Sequence, residues 1–242
     1  MDYTKHVSWP FKQPNLWKTW ALLSCLSITM FGPFCYAAEL TKAIAKNGVA
    51  EAKFPKFSLE TCCSNNILLW LCYICIGIPF ALIGVVFAFM DWSLLGRIFT
   101  SLATLTYFVY LPAFLICGAS DDNSSSIYGT FLKLPFSRLK GYYNLVFICV
   151  LWQGVVGAIT MVPAICLVFG VLALAFKNLL VGGILICVFA LLLIITIFVA
   201  HPYVFMAISA LVGDYMRNYK NELIEKDILD EKTYLMQGSS EE

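Results

Sequence analysis

Five long stretches of this chain contain no Asp, Glu, Lys or Arg. They lie between Lys18 and Glu39, Glu60 and Asp91, Arg97 and Asp121, Lys140 and Lys177, and Lys177 and Asp214. A hydrocarbon layer of roughly 30 Å is crossed by about 20 apolar residues of α-helix, and each stretch reaches that length. Backbone amides find no water partner inside lipid, so these stretches are predicted to be helices. The chain is therefore predicted to be an all-α, multi-pass integral membrane bundle.

The pattern predicts one polytopic membrane domain over residues 1–218. Its five hydrophobic segments are about 19–38, 66–89, 98–118, 142–176 and 179–213. The last two are too long for one upright crossing and too short for two with a turn, so each is predicted to be a long, tilted or broken helix. Residues 219–242 are predicted to form a polar cytosolic tail.

The first hydrophobic segment permits two topologies. Gly32-Pro33 interrupts it, so the chain either crosses the membrane there or re-enters on the same side. A crossing gives five spans and is favoured by hydrophobicity. Re-entry gives four spans and is favoured by charge, because it keeps the lysines of residues 1–18 with the other basic clusters.

Two polar stretches mix aromatic and basic residues and are predicted to be amphipathic elements at the membrane interface, residues 1–18 and 127–143. Loops 39–60 and 119–141 and the chain after 213 carry four, three and four basic residues, whereas the turns at 90–97 and 177–178 carry one each. Cytosolic loops of membrane proteins are enriched in Lys and Arg. Both long loops and the C-terminus are therefore predicted to be cytosolic.

Composition narrows the classes of function. The chain is 60% hydrophobic and 13% charged, with a net charge of +1, so it lacks the basic face that a nucleic-acid partner requires. Eight of the ten cysteines lie in the apolar segments, where cysteine behaves as a small hydrophobic residue. The other two, Cys62 and Cys63, are predicted to be reduced thiols or lipidation sites.

The second hydrophobic segment carries a stripe of small residues spaced by four, three and four. The stripe consists of Gly77, Ala81, Gly84 and Ala88. Small side chains let two helix backbones approach closely in lipid, so the stripe is predicted to be a helix-packing face.

Two polar side chains interrupt the later segments, Gln153 and His201. A polar group at membrane depth either lines a pathway or bonds a neighbouring helix, and both readings stay open here. No catalytic motif, phosphate loop or metal-ligand spacing accompanies them, so we expect no enzyme activity, cofactor or metal.

The start of the chain carries a resemblance to a known family. Residues 10–17 read Pro-Phe-Lys-Gln-Pro-Asn-Leu-Trp and are followed by Gly32-Pro33 and by Phe54-Pro55-Lys56-Phe57. This arrangement resembles domain of unknown function 4013, a family of prokaryotic integral membrane proteins. Gly213-Asp214-Tyr215 before a basic tail is also similar. The resemblance implies a prokaryotic plasma-membrane protein and no catalytic residues.

Two functional hypotheses follow. The first is a non-enzymatic scaffold or assembly partner that packs in the bilayer with itself or with other membrane proteins, supported by the small-residue stripe. The alternative is a transporter or channel subunit for a small uncharged or weakly polar solute, supported by the broken helices and Gln153. A polar cavity at membrane depth would favour the alternative.

Overall fold

The computed structural model describes residues 3–26, 32–56, 59–120, 126–176 and 179–229. Ten α-helices occur in this part of the chain: α1 Tyr3–Ser8, α2 Leu16–Leu26, α3 Gly32–Asn47, α4 Leu59–Phe89, α5 Ser93–Ala119, α6 Ser126–Lys133, α7 Tyr142–Ala175, α8 Leu179–Ile195, α9 His201–Asn218 and α10 Lys220–Glu225. Short 3-10 turns follow α1 and α6, at Pro10–Lys12 and Leu134–Phe136, and a π-helical turn, Thr196–Ala200, joins α8 to α9. The described residues contain no strand, and the prediction of an all-α bundle is confirmed.

Four helical stretches are long and apolar enough to cross a membrane. They are Asn66–Phe89, Ser93–Ala119, Tyr142–Ala175 and Leu179–Asn218. The third predicted segment begins five residues earlier than 98, and the last continues beyond 213, because amphipathic turns extend each helix past its uncharged part. The predicted tail is helical as far as Glu225, and residues 230–242 lie outside the described residues.

The buried core lies at one end of the molecule, which we call the base: residues 32–45, 110–119, 131–142 and 204–223. Side chains in it with almost no exposed surface include Leu40, Phe114 and Ile208. Gly213 allows α9 to approach α3, since a Cβ atom there would lie 2.8 Å from the Cβ atom of Ile44. The base is therefore tightly packed.

Two helical hairpins project from the base. The first hairpin is residues 66–109 of α4 and α5, and the second hairpin is residues 143–200 of α7, α8 and the π turn. Their outer faces are apolar and exposed along most of their length. In a bilayer such faces contact lipid tails rather than water.

Exposed aromatic residues form two levels along the hairpins. The proximal girdle, at the base, is Phe11, Trp17, Phe136 and Tyr143, and the distal girdle, at the hairpin turns, is Phe89, Trp92 and Phe176. Aromatic side chains concentrate at both membrane–water interfaces. Phe89 lies 22 positions after Ile67 in the same helix, a rise of about 33 Å, which is close to the thickness of the hydrocarbon layer.

The first hydrophobic segment, 19–38, is divided between α2 and α3, and residues 27–31 lie outside the described residues. The chain before and within α2 runs antiparallel to α9. The His6 Nε2 atom lies 3.0 Å from Asp214 Oδ2, and the indole of Trp20 donates to the carbonyl of Val199 at 3.1 Å. Between His6 and Trp20 the chain thus runs alongside α9, from the C-terminal end of that helix to its N-terminal end.

Helix α3 then returns along α9 in the parallel sense. The ring of Phe34 packs on that of Phe205, with centroids 5.0 Å apart, whereas Gly48 lies against the guanidinium of Arg217. His6, which precedes α2 in sequence, and Gly48, which follows α3, therefore lie at the same end of α9.

The chain contains two similar leading segments, residues 3–12 and 126–136. Each is a short helix followed by a 3-10 turn that contains a Pro-Phe pair, Pro10-Phe11 in the first and Pro135-Phe136 in the second. Tyr203 of α9 donates to the carbonyl of Val7 at 2.8 Å, and Tyr110 of α5 donates to the carbonyl of Leu132 at 3.1 Å. Each leading segment is thus held by the last membrane helix of the other half of the chain.

Candidate functional site

Gln153 and His201 line the same cavity. Gln153 lies in α7 and His201 is the first residue of α9, so the two are 48 positions apart in sequence. The cavity has a volume of about 190 Å³ and lies where the two hairpins leave the base. The structure therefore brings together the two polar side chains that interrupt the predicted spans.

The rest of the cavity wall is aromatic and aliphatic. It comprises Phe34, Tyr73, Phe108, Val156, Gly157, Val204, Phe205 and Ile208. The hydroxyl of Tyr73 is already engaged, since it donates to the carbonyl of Tyr107 at 3.1 Å. A Cβ atom at Gly157 would meet no atom within 4 Å, so this residue leaves space beside Gln153.

A break in helical regularity precedes His201. The π-helical turn Thr196–Ala200 inserts an extra residue per turn, which rotates the faces of α9 relative to those of α8. Pro202 has no amide hydrogen to donate to the carbonyl of Phe198 in the preceding turn, and the hydroxyl of Ser24 donates to that carbonyl instead, at 2.6 Å. The last hydrophobic segment, predicted to be long, tilted or broken, thus departs from α-helical regularity at the residues that place His201 on the cavity.

The cavity lies inside the apolar part of the hairpins. Tyr73 is six residues beyond Ile67 along α4, which corresponds to roughly 9 Å of helix. None of the lining residues is an acid, a lysine or an arginine. An amide and an imidazole each offer a donor and an acceptor, so the wall suits a neutral molecule with hydrogen-bonding groups and opposes an ion.

The small-residue stripe is covered within the chain, inside the first hairpin. A Cβ atom at Gly77 would overlap the ring of Tyr107, and one at Gly84 would lie 2.8 Å from Thr100 Oγ1 and 3.1 Å from the carbonyl oxygen of Gly96. Ala88 also borders Gly96, and Ala81 is half-buried. The stripe packs α4 on α5, so it no longer supports packing with a partner.

Sequence reasoning did not single out the aromatic part of the wall. Phe108 precedes Tyr110 by two residues, as His201 precedes Tyr203, and both tyrosines hold a leading segment. A comparison of the two leading segments and their tyrosines could have pointed to Phe108. Tyr73 and Phe34 carry no comparable pattern.

Metal-ligating side chains do not cluster in the described part of the chain. No group of three or more His, Cys, Asp or Glu side chains is placed there to hold a metal ion. The prediction for Cys62 and Cys63 lies outside the described side chains. A comparison of the chain with family models, with curated proteins and with solved structures finds no match. The resemblance to domain of unknown function 4013 stays a prediction.

Proposed function

We propose that this chain is a non-enzymatic integral membrane protein that binds and conducts a small, uncharged, weakly polar solute. The observation that carries the proposal is the convergence of Gln153 and His201 on one cavity inside the apolar hairpins. Gln153 and His201 are each half-buried, and polar side chains are uncommon at membrane depth because each loses part of its hydration there. Binding a hydrogen-bonding solute is the function that this pair supports best.

The size and chemistry of the cavity define the class of solute. A volume of about 190 Å³ admits a molecule of a few heavy atoms. The aromatic rings of Phe34 and Phe205 would contact its apolar surface, while Gln153 and His201 would satisfy its donors and acceptors. Such a solute is neutral, since no lining carboxylate or ammonium group balances a charge.

We further propose four crossings, with residues 19–38 re-entering on the cytosolic side. The approach of both His6 and Gly48 to the same end of α9 supports this topology over five crossings. The concentration of basic residues in loops 39–60 and 119–141 supports a cytosolic base and C-terminus. By resemblance, the membrane is the prokaryotic plasma membrane.

Solute flux into proteoliposomes tests the proposal. Stopped-flow light scattering would follow the swelling of vesicles that contain the purified chain, with glycerol and urea as neutral probes. We expect faster swelling than in empty vesicles for at least one probe. Gln153→Leu and His201→Phe should each reduce the rate several-fold, because each removes a hydrogen-bonding group from the cavity.

Thr160→Val is the matched control. Thr160 also lies in α7, but its hydroxyl donates to the carbonyl of Val156 within the helix, and the residue is not part of the cavity wall. This variant should retain the rate of the native chain. Swelling equal to that of empty vesicles, or an equal loss in all three variants, would contradict the proposal.

A scaffold remains the second candidate function, and one observation favours it. Cβ atoms at Gly154 and Gly183 would meet no atom within 4 Å, so these two glycines of the second hairpin face open space outside the cavity. Glycines on an unpartnered membrane face allow another helix to approach. Cross-linking in native membranes followed by mass spectrometry would reveal a second copy or another membrane protein at this face.

A further inference from the structure

A second concave region lies on the proximal surface, away from the cavity. This groove has a volume of about 610 Å³ and runs between the second leading segment and the chain that follows α10. Lys226 fixes its shape: the Nζ atom donates to the carbonyls of Ser137 and Arg138 at 2.9 and 3.1 Å and to Glu222 Oε1 at 3.2 Å.

One wall of the groove is apolar and continues into the lipid-facing surface. Phe136 and Leu132 are 74% and 48% exposed, although both side chains are hydrophobic. The neighbouring Tyr143, which donates to the carbonyl of Pro135 at 2.8 Å, belongs to the proximal girdle, and Phe147 continues the exposed face along α7. The groove therefore lies at the height of lipid headgroups and opens toward acyl chains.

The polar side of the groove combines a cation, a hydroxyl group and a carboxylate. Lys133 and Thr130 belong to α6, and Asp227 follows α10. An ammonium and a hydroxyl group are donors to a phosphodiester, whereas a carboxylate accepts hydrogen bonds from sugar or glycerol hydroxyls. Asp227 offsets the charge of Lys133 and Glu222 offsets that of Lys226, so the hydrogen-bonding groups of the groove, rather than a net charge, select the lipid.

We propose that this groove binds phosphatidylglycerol from the proximal leaflet. The phosphodiester receives hydrogen bonds from Lys133 and Thr130, and the terminal glycerol hydroxyls donate to Asp227. The acyl chains lie along Phe136 and Leu132. Phosphatidylcholine lacks hydroxyl donors and carries a quaternary ammonium close to Lys133. Phosphatidic acid supplies the phosphate but leaves Asp227 without a donor.

Native mass spectrometry of the full chain in detergent micelles tests this assignment, with phosphatidylglycerol, phosphatidic acid and phosphatidylcholine of identical acyl chains. We expect the native chain to retain phosphatidylglycerol best. Lys133→Ala should reduce that adduct about fivefold, the factor expected for one basic residue at an anionic surface. Lys53→Ala is the matched control, because Lys53 is also exposed but lies outside the groove.

Asp227→Gly provides an independent readout. Asp227 has a φ angle of 53°, which glycine adopts without strain, so the variant removes the carboxylate and keeps the turn. It should abolish the preference for phosphatidylglycerol over phosphatidic acid. Equal adducts with phosphatidylcholine, a stronger adduct of the native chain with phosphatidic acid, or an equal loss in Lys53→Ala would each overturn the proposal.

Discussion

Two tyrosine hydroxyl groups connect the leading segments to the membrane helices on which they pack. Tyr203 and Tyr110 each reach a backbone carbonyl of a leading segment, although these segments lie 196 and 22 residues away in sequence. The ring of Tyr203 also packs on Phe11, with centroids 5.4 Å apart. Each tyrosine therefore acts as a local anchor, with apolar contacts at its ring and one hydrogen bond at its hydroxyl group.

Removing either hydroxyl should loosen only its own leading segment. In Tyr203→Phe we expect faster tryptic cleavage after Lys12, and in Tyr110→Phe faster cleavage after Lys133, because each change removes a hydrogen bond worth about 1 kcal/mol. Limited proteolysis of both variants, read by mass spectrometry, supplies reciprocal controls. Equal acceleration at both sites in either variant would contradict separate anchoring.

A second residue-scale prediction concerns acid. The backbone amide of Lys140 donates to Glu222 Oε1 at 2.9 Å, and this bond, with Lys226 nearby, lowers the pKa of the Glu222 carboxyl below its ordinary value of 4.5. A group whose pKa is lowered in the folded state stabilises the fold above its unfolded pKa and loses that contribution as pH falls through the folded value. Glu222→Gln should therefore lower the thermal midpoint at pH 7, and the difference from the native chain should shrink as the pH falls through the lowered pKa of Glu222.

The residues of the cavity show what a sequence can disclose at this scale. Gln153 and His201 could be singled out because polar side chains in uncharged stretches are rare. Phe108 and Tyr73 could not, because an aromatic residue in a membrane helix is ordinary and its direction depends on how two hairpins meet. The helix positions were predictable, whereas their convergence depended on long-range packing.

At the scale of elements, the same residue type has different roles in the two hairpins. Gly84 and Gly96 allow close contact between α4 and α5, and Gly182 allows a similar approach between α8 and α7. Gly154 and Gly157 instead face open space. Spacing alone identified a packing face in α4, but it could not say that the neighbour is the next helix of the same chain.

Substitution with leucine should separate these two kinds of glycine. Gly84→Leu forces side-chain atoms against Thr100 and Gly96, and overpacking of this kind costs about 1–3 kcal/mol, so the thermal midpoint in detergent should fall. Gly154→Leu should leave the midpoint unchanged. If Gly84→Leu proves as stable as the native chain, the close approach of α4 and α5 is wrong.

At the scale of the whole molecule, the base and the hairpin turns lie at opposite ends. Both hairpins leave the base and return to it, so the number of crossings that they contribute is even. Residues 19–38 decide the position of the N-terminus, and hydropathy alone left that choice open. The contacts of α2 and α3 along α9 support the proposed re-entry, and hydropathy could not supply them, because a single stretch of apolar residues does not disclose where it turns.

Labelling with an impermeant maleimide tests the proposed topology. In a chain whose native cysteines are replaced by serine, Asp91→Cys in the first hairpin turn should react in intact cells. Lys53→Cys, beside the base, should react only after the membrane is permeabilised. If only Lys53→Cys reacts in intact cells, the base faces outward and the proposed orientation is wrong. If both variants react in intact cells, the base and the hairpin turn lie on the same side and the proposed topology is wrong.

The exchange of leading segments has a consequence for assembly. Residues 3–12 pack on α9 and residues 126–136 pack on α5. The leading segment of each half of the chain, before and after residues 121–125, therefore contacts a helix of the other half. Two polypeptides separated between Ser120 and Ser126 should therefore find each other when they are co-expressed and reconstitute the complete protein by complementation. Neither polypeptide alone carries the surface on which its own leading segment rests, so a gene for this protein could be divided at that point and the product still recovered as one complex.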